Sequence, residues 1–210
     1  MINKISINCH SSIKIKYEKT IYFDPYKIDK KVNDADYIFI THDHYDHLDI
    51  QSLKNIAKEE TIVIMPTSIP LKELEPVIRK EQIIGVCPNE QYCIDGINIH
   101  TMPSYNINKD FHKKTYNWVG YIIELNQEKI YVSGDTDFID EIKNVKCDIA
   151  LIPIGGTYTM NSIEAAKLIN AIKPKYVIPT HYGTIIGEKK DGENFKNLIS
   201  EDIECRLLIK

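Results

Sequence analysis

The amino-acid sequence predicts an α/β or α+β fold, organised as a single domain over residues 1–210. Short apolar runs of the strand type recur along the whole chain, and a few segments with helical spacing lie between them. The sequence contains no linker rich in proline, glycine or serine. A chain of 210 residues is long enough to bury a sufficient core without disulfides or a structural metal.

The first half of the chain is predicted to form mainly strands. Apolar residues at helical spacing predict one helix from Ile50 to Ala57, and Asp49 is placed to cap it. A short helical segment interrupted by Pro76 is expected within residues 71–78. Alternating or continuous apolar residues predict strands near residues 5–7, 13–17, 21–23, 37–40 and 61–65.

The second half is predicted to combine strands with two helices. Asp95-Gly96 predicts a tight hairpin turn within residues 91–102. A capping box at Asn161 predicts the start of a helix that ends before Pro174. Residues 104–117 have no regular period and are expected to form a loop, the kind of segment that often carries function. Further strands are expected near residues 119–125, 129–133, 149–154, 176–178 and 205–209, and a last helix near residues 193–199.

Charge and cysteine usage exclude several classes of partner. The formal net charge is −4 and the arginines are Arg79 and Arg206, so a basic surface for nucleic acid is not expected. No apolar stretch approaches the roughly 20 residues of a membrane span. The five cysteines fall at wide spacings without a Cys-x-x-Cys pair, which is typical of reduced thiols. We therefore expect a cytoplasmic protein that binds neither nucleic acid nor membrane.

Three histidines and two aspartates lie within six residues, 42–47, directly after the strand predicted near residues 37–40. In an extended segment His42 and His44 point the same way, so both imidazoles can bind one metal ion. The chain must then turn before the helix, which brings Asp46 and His47 toward a second position. Imidazole and carboxylate together suit Zn²⁺, Mn²⁺ or Fe²⁺. The alternative interpretation is a solvated polar turn between strand and helix.

Two metal ions need more ligands than this segment offers. Asp135 follows an apolar strand and is the best candidate for a carboxylate that bridges two metals. His181 follows another apolar strand and is the best candidate for a terminal ligand. Taken alone, each residue has a simpler interpretation, as a capping aspartate or a surface histidine.

Three motifs give the chain a resemblance to a known family. They are His42-x-His44-x-Asp46-His47, Ser133-Gly134-Asp135-Thr136 and Pro179-Thr180-His181-Tyr182. In these motifs the chain resembles the metallo-β-lactamase-fold hydrolases over nearly its whole length. The resemblance implies a four-layer αββα sandwich, with two mixed β-sheets flanked by helices and the metals at one edge. Three more segments make the chain most similar to the small hydrolases related to L-ascorbate-6-phosphate lactonase: Asp24-Pro25, Pro153-Ile154-Gly155-Gly156 and Tyr158-Thr159-Met160.

The resemblance also implies two divalent metal ions as cofactors, zinc in the first place, with manganese or iron as alternatives. Such a pair lowers the pKa of a shared water, and the resulting hydroxide cleaves an ester, lactone or phosphodiester bond of a small molecule. Asp46 would move the proton, so Asp46 and Asp135 are the catalytic candidates. The implied ligands are His42, His44 and His112 for the first metal and Asp46, His47 and His181 for the second, with Asp135 as the bridge.

The chain departs from the family at the third histidine of the first metal site. Aligned through residues 103–105, that position falls on Asn106, and His112 lies six residues further on. His112 is predicted to replace it, with Asn106, water or a weakened first metal site as the alternatives. His100 is expected to be structural, because alternation along its strand places it on the opposite face.

Four more residues are candidates for the surroundings of the metals. Asp24 is expected to orient a ligand imidazole. His10 is expected either to support the site or face the substrate, or to be an ordinary histidine at a strand end. Trp118 and Tyr158 are expected to line the pocket, with packing in the core as the alternative.

Two other functions are alternatives to a hydrolase. A non-catalytic binding or sensing module could use the same pocket, although Asp46 and Asp135 argue against it. A nuclease is disfavoured by the low basic charge and by the lack of room for an RNA-binding segment in 210 residues. The sequence leaves open the small-molecule substrate, the native metal and the formation of a homo-oligomer.

Overall fold

The computed structural model describes residues 1–75 and 77–209, so the predicted interruption at Pro76 lies outside the described residues. Within them the chain forms two β-sheets, with α-helices and short 3₁₀ helices. The first sheet contains β1 (Ile5–Ile7), β2 (Ile13–Lys16), β3 (Thr20–Phe23), β4 (Tyr37–Phe39), β5 (Ile62–Pro66) and β6 (Ile83–Val86). The second contains β7 (Gln91–Ile94), β8 (Ile97–Pro103), β9 (Val119–Leu125), β10 (Glu128–Val132), β11 (Ile149–Pro153), β12 (Tyr176–Thr180) and β13 (Glu204–Cys205). The helices are α1 (Ile50–Ile56), α2 (Ser162–Ile172) and α3 (Lys190–Lys196), and the 3₁₀ helices are Ile2–Lys4, Leu71–Glu73, Lys80–Gln82, Lys114–Tyr116 and Asp140–Ile142.

Both sheets are mixed, and each changes from antiparallel to parallel pairing along its strand order. In the first sheet β1, β2 and β3 pair antiparallel, whereas β3, β4, β5 and β6 pair parallel. In the second sheet β7 to β10 form an antiparallel meander, and β10 to β13 pair parallel. Because parallel neighbours run the same way, the segments that follow them leave from one edge of the sheet.

The two sheets pack face to face, and the helices cover their outer faces. In β4, Tyr37 and Phe39 point into the core between the sheets, whereas Ile38 points into the core beneath α1. Ile169 of α2 and Phe195 of α3 lie in the core on the outer face of the second sheet. The predicted arrangement of two mixed sheets flanked by helices is therefore confirmed.

The predicted caps and turns have the expected local geometry. The Asp49 carboxylate accepts the Gln51 N–H in the first turn of α1, and the Asn161 side chain forms a capping box at α2. Asp95 and Gly96 both adopt positive φ, +48° and +83°, between β7 and β8. That backbone conformation suits a two-residue hairpin turn.

Several predicted boundaries are wrong. β6 is absent from the sequence prediction, because its first half is only partly buried and Gly85 interrupts the apolar run. α3 begins at Lys190 rather than near residue 193. Its Gly192, which sequence rules treat as a helix breaker, packs so closely on Tyr182 that a Cβ would lie 2.6 Å from the hydroxyl oxygen. β13 ends at Cys205, short of the predicted 209. The short helical segment expected within residues 71–78 is present as the 3₁₀ helix Leu71–Glu73.

Candidate metal centre

Seven histidine and aspartate side chains meet where the two sheets end, and they form two groups. His42, His44 and His112 form the first group, with one ligand atom from each lying within 4.8 Å of the others. His10, Asp46, His47 and His181 meet the same limit and form the second. These two groups therefore contain six of the seven predicted metal ligands, together with His10.

Asp135 lies between the two groups. Its Oδ2 atom is 2.9 Å from Nε2 of His181 and 3.5 Å from Nε2 of His112. Its Oδ1 atom is 3.4 Å from Nε2 of His47. One carboxylate thus faces imidazoles of both groups, which is the placement expected of a bridging ligand.

Three of these histidines share one pattern of contacts. Nδ1 of His42 is 2.9 Å from the Thr41 hydroxyl, Nδ1 of His47 is 2.8 Å from the Asp24 carboxylate, and Nδ1 of His112 is 3.0 Å from the Asn106 amide oxygen. The Nε2 atom of each is buried and has no hydrogen-bond partner. A buried nitrogen left without a partner is costly in an ordinary interior, whereas a metal ion would satisfy it. The donor set therefore fits divalent metal ions.

Turns at the strand ends hold these side chains in place. Asp24 follows β3 with φ +45°, and its two oxygens accept the Thr41 N–H and hydroxyl, each at 2.8 Å. Gly134 has φ +64°, and a Cβ there would lie 3.0 Å from Thr41. The Ser104 hydroxyl donates to the carbonyl of Asp135 at 2.9 Å. The glycine thus permits the close approach that fixes Asp135 beside the histidine segment.

Burial and opposite charges shift the pKa values of the buried groups. Burial lowers the pKa of His42 well below its usual value, and a charge on His47 lowers it further. Burial also opposes charging of His47, but attraction to Asp135 and Asp24 outweighs it and raises the His47 pKa well above normal. For Asp135, attraction to His181 and His47 outweighs burial and holds the pKa well below its usual range. A metal ion held by His47 would therefore have to replace a proton there.

The loop of residues 104–117 places its two candidate ligands in different roles. His112 lies in the first group, whereas Asn106 lies behind it. The Asn106 amide donates to the carbonyl of Tyr158 at 2.9 Å, and its oxygen accepts from His112. His100 is half-buried on the outward face of β8 and belongs to neither group.

A cavity of about 520 Å³ opens beside the first group. Its walls include His44, Phe111, Tyr116 and Trp118, with the Asp43 carboxylate at the side. Trp118 is buried, with its ring centroid 4.9 Å from that of His42, so it both packs and lines the cavity. Tyr158 packs edge-on against Phe111, with centroids 4.6 Å apart.

Two residues that contact histidines of the site were not predicted from the sequence. Thr41 and Thr184 contact Nδ1 of His42 and His10, respectively. Thr41 directly precedes His42 in the sequence, so a contact between the two could have been predicted. Thr184 reaches His10 across 174 positions of sequence, and the sequence offers no signal for such a contact.

Comparison with known proteins agrees with the fold. Residues 3–182 match the Beta-lactamase superfamily domain. A UPF0173 metal-dependent hydrolase from Thermococcus onnurineus is 31% identical over 98% of this chain and 96% of its own length. A metallo hydrolase from Ignicoccus hospitalis shares the fold with a TM-score of 0.79 at 22% identity, covering 98% of this chain and 94% of that one. A metallo-beta-lactamase fold protein from Bacillus subtilis gives a TM-score of 0.71 at 14% identity, covering 95% and 88%.

The fold and the metal-ligating groups thus define a metal-dependent hydrolase of the metallo-β-lactamase superfamily. Within that superfamily the chain belongs to the UPF0173 metal-dependent hydrolase family. The resemblance found in the sequence is confirmed at this level, and the similarity to the L-ascorbate-6-phosphate lactonase subgroup stays a prediction.

Proposed function

We propose that the protein is a dinuclear metal hydrolase that cleaves an ester or lactone of a small molecule. The observation that carries the proposal is the Asp135 carboxylate, whose two oxygens face imidazoles of both groups. One metal would be held by the first group, the other by Asp46, His47 and His181, and Asp135 would bridge them. Two divalent ions in such a site supply an activated water at neutral pH and stabilise developing oxyanion charge.

Asp46 is the proposed proton carrier. Burial opposes charging of Asp46, but its contacts with His10 and His181 outweigh burial and lower its pKa, so it is ionised at neutral pH. An ionised carboxylate at the site can accept the proton of the attacking water and later return it to the leaving oxygen. Asp24 would keep His47 in one orientation through its 2.8 Å contact with Nδ1.

The cavity beside His44 favours carboxylic esters and lactones over phosphodiesters. Three of its walls are aromatic, and the Asp43 carboxylate there would repel a phosphate. Two of the three lysines in the adjoining loop are already engaged: Lys109 pairs with Asp137, and Lys114 with Glu141. The cavity thus lends no support to a phosphorylated substrate such as an ascorbate phosphate, and a phosphodiester is the second choice of substrate.

Metal identity and location are further proposals. Zinc is the first choice for ions bound by imidazole and carboxylate, and manganese or iron are the alternatives. The five cysteines are free thiols, which supports the cytoplasm as the location. No helix in residues 1–75 and 77–209 is long and apolar enough to cross a membrane.

Replacing Asp135 tests the proposed function. Asp135→Asn keeps the size of the side chain but removes the charge that faces both groups, so we expect hydrolysis of 4-nitrophenyl esters to fall by a factor of roughly 10³ or more. Asp110→Asn is the matched control, because the Asp110 side chain is 99% exposed. Equal ester hydrolysis by the Asp135 variant and the wild type would refute the proposal.

A non-catalytic binding module is the competing function. It predicts that the wild-type protein binds members of a panel of esters, lactones and phosphodiesters without turnover. The same panel ranks the substrate classes. Faster cleavage of bis(4-nitrophenyl) phosphate than of aryl esters would contradict the preference inferred from the cavity.

A further inference from the structure

His10 lies in the second metal-ligating group, although the family resemblance does not name it as a ligand. It is fully buried in the turn between β1 and β2. Its Nε2 atom is 3.2 Å from Oδ2 of Asp46, and its ring centroid is 3.8 Å from that of His181. One ligand atom of His10 lies within 4.8 Å of those of Asp46, His47 and His181. The His10 imidazole therefore meets the same distance limit as the other members of the group.

The contacts of His10 repeat those of the predicted ligands His42, His47 and His112. Its Nδ1 atom is 3.1 Å from the Thr184 hydroxyl, which fixes the ring from the outer side. Its Nε2 atom is buried, faces the site and has no hydrogen-bond partner. An imidazole held at one nitrogen with the other nitrogen unpartnered is typical of a metal ligand.

The backbone holds His10 in an uncommon conformation. Its φ is +56°, in the left-handed region that residues with a Cβ rarely adopt. The carbonyl of His10 accepts the backbone N–H of His181 at 3.2 Å, and His181 itself has φ +57°. Two strained residues from distant parts of the chain are thus joined at the point where their rings meet. Such strain clusters at functional sites.

We propose that His10 is a further ligand of the second metal ion, a proposal that rests on the proposed function. The second site would then offer the imidazoles of His10, His47 and His181, the Asp46 carboxylate and a shared oxygen of Asp135. The first would offer three imidazoles and the other share of Asp135. Five donors exceed the four that zinc takes in a closed tetrahedral site. The second site would therefore favour a metal that accepts five or six ligands, such as Mn²⁺ or Fe²⁺.

Titration with Co²⁺ tests the proposal, because its visible spectrum reports the ligand set. Wild-type protein freed of metal should bind two Co²⁺ ions per chain. His10→Ala should weaken one of the two by about 10-fold or more and change the spectrum of that ion, while the other ion is retained. His100→Ala is the matched control, since His100 is half-buried on β8 outside both groups. Circular dichroism confirms that each variant is folded.

A second variant separates metal ligation from a hydrogen bond to Asp46. The amide of His10→Gln can donate to Asp46 but cannot supply an imidazole nitrogen. Ligation predicts an altered Co²⁺ spectrum in this variant, whereas a hydrogen-bonding role predicts a wild-type spectrum and would overturn the proposal. Two ions bound at wild-type affinity with an unchanged spectrum in His10→Ala would also overturn it. Failure of the wild type to bind Co²⁺ would instead refute the proposed function.

Discussion

The Asp24 carboxylate contacts several groups of the site, and no single sequence motif indicates all of these contacts. The carboxylate accepts the N–H and hydroxyl of Thr41 and meets Nδ1 of His47. It thereby ties the end of β3 to the histidine segment that follows β4. Burial raises the pKa of Asp24, and the nearby His47 and Thr41 oppose that rise. The carboxylate orients His47 without belonging to either metal-ligating group.

Replacing Asp24 by asparagine should weaken the second metal site. The amide would set an N–H group against the hydroxyl of Thr41 or the Nδ1–H of His47, where the wild type has only acceptors. We expect metal affinity at one of the two sites to fall by about 10-fold to 100-fold, measured by competition with a chelator. Asp110→Asn serves as the control. Unchanged affinity at both sites would show that Asp24 does not position His47.

At the residue scale the sequence predicts ligands at strand ends better than ligands in loops. Every predicted ligand that follows a strand lies in one of the two groups or, in the case of Asp135, between them, because a strand end aims a short side chain reliably. The sequence favoured His112 over Asn106 as the metal ligand, but it did not decide between them. Which of the two residues lies in the metal-ligating group depends on how residues 104–117 fold back. One contact of this fold is the 2.7 Å hydrogen bond from the Asn106 N–H to the His112 carbonyl. No periodic pattern encodes such a contact.

At the scale of elements, Asp36 joins three segments of the first sheet. Its carboxylate accepts the backbone N–H of Thr20 at 2.7 Å and the ammonium of Lys58 at 2.7 Å. Thr20 begins β3, Asp36 directly precedes β4, and Lys58 follows α1. Burial raises the Asp36 pKa, but the hydrogen bonds from Lys58 and Thr20 outweigh it and lower the pKa below its usual value.

Stability should therefore depend on pH through Asp36. A carboxyl group whose pKa is lower in the folded state stabilises the fold above the ordinary carboxyl pKa, and this contribution is lost as the pH falls. Asp36→Asn should lower the free energy of unfolding by about 1 kcal/mol at neutral pH, and its difference from the wild type should shrink below about pH 4. Urea denaturation of both proteins at each pH measures this. A difference that does not change with pH would contradict the prediction.

Elements whose apolar residues recur with a clear helical or strand period were predicted from the sequence. Elements that depend on tertiary contacts were not. α2 has both a capping box and an apolar face, and the prediction matches it. β6 lies at a sheet edge, where partial exposure weakens the apolar pattern. α3 depends on Gly192, whose missing side chain makes room for Tyr182. That tertiary contact overrides the low helix propensity of glycine.

At the scale of the whole molecule, the two sheets bring distant sequence segments to one place. β3 is followed by Asp24, β4 by the segment 41–47, β10 by Asp135 and β12 by His181. The strand patterns of these segments predicted an α/β or α+β fold with candidate ligands at strand ends. The two-sheet sandwich and the complete set of ligands were implied by the family resemblance. The Asp43 carboxylate and the aromatic walls of the cavity come from separate segments and could be assembled only in three dimensions. For the same reason the proposed substrate preference rests on the cavity rather than on a sequence motif.

Metal content tests the central claim most directly. If two groups of side chains share Asp135, protein purified without chelators should contain about two transition-metal ions per chain when measured by inductively coupled plasma mass spectrometry. Removing the metals should lower the melting temperature, because the buried Nε2 atoms then have no partner. A folded protein that contains close to two ions would support the account. A folded protein with close to none, even after incubation with zinc, manganese or iron, would contradict it.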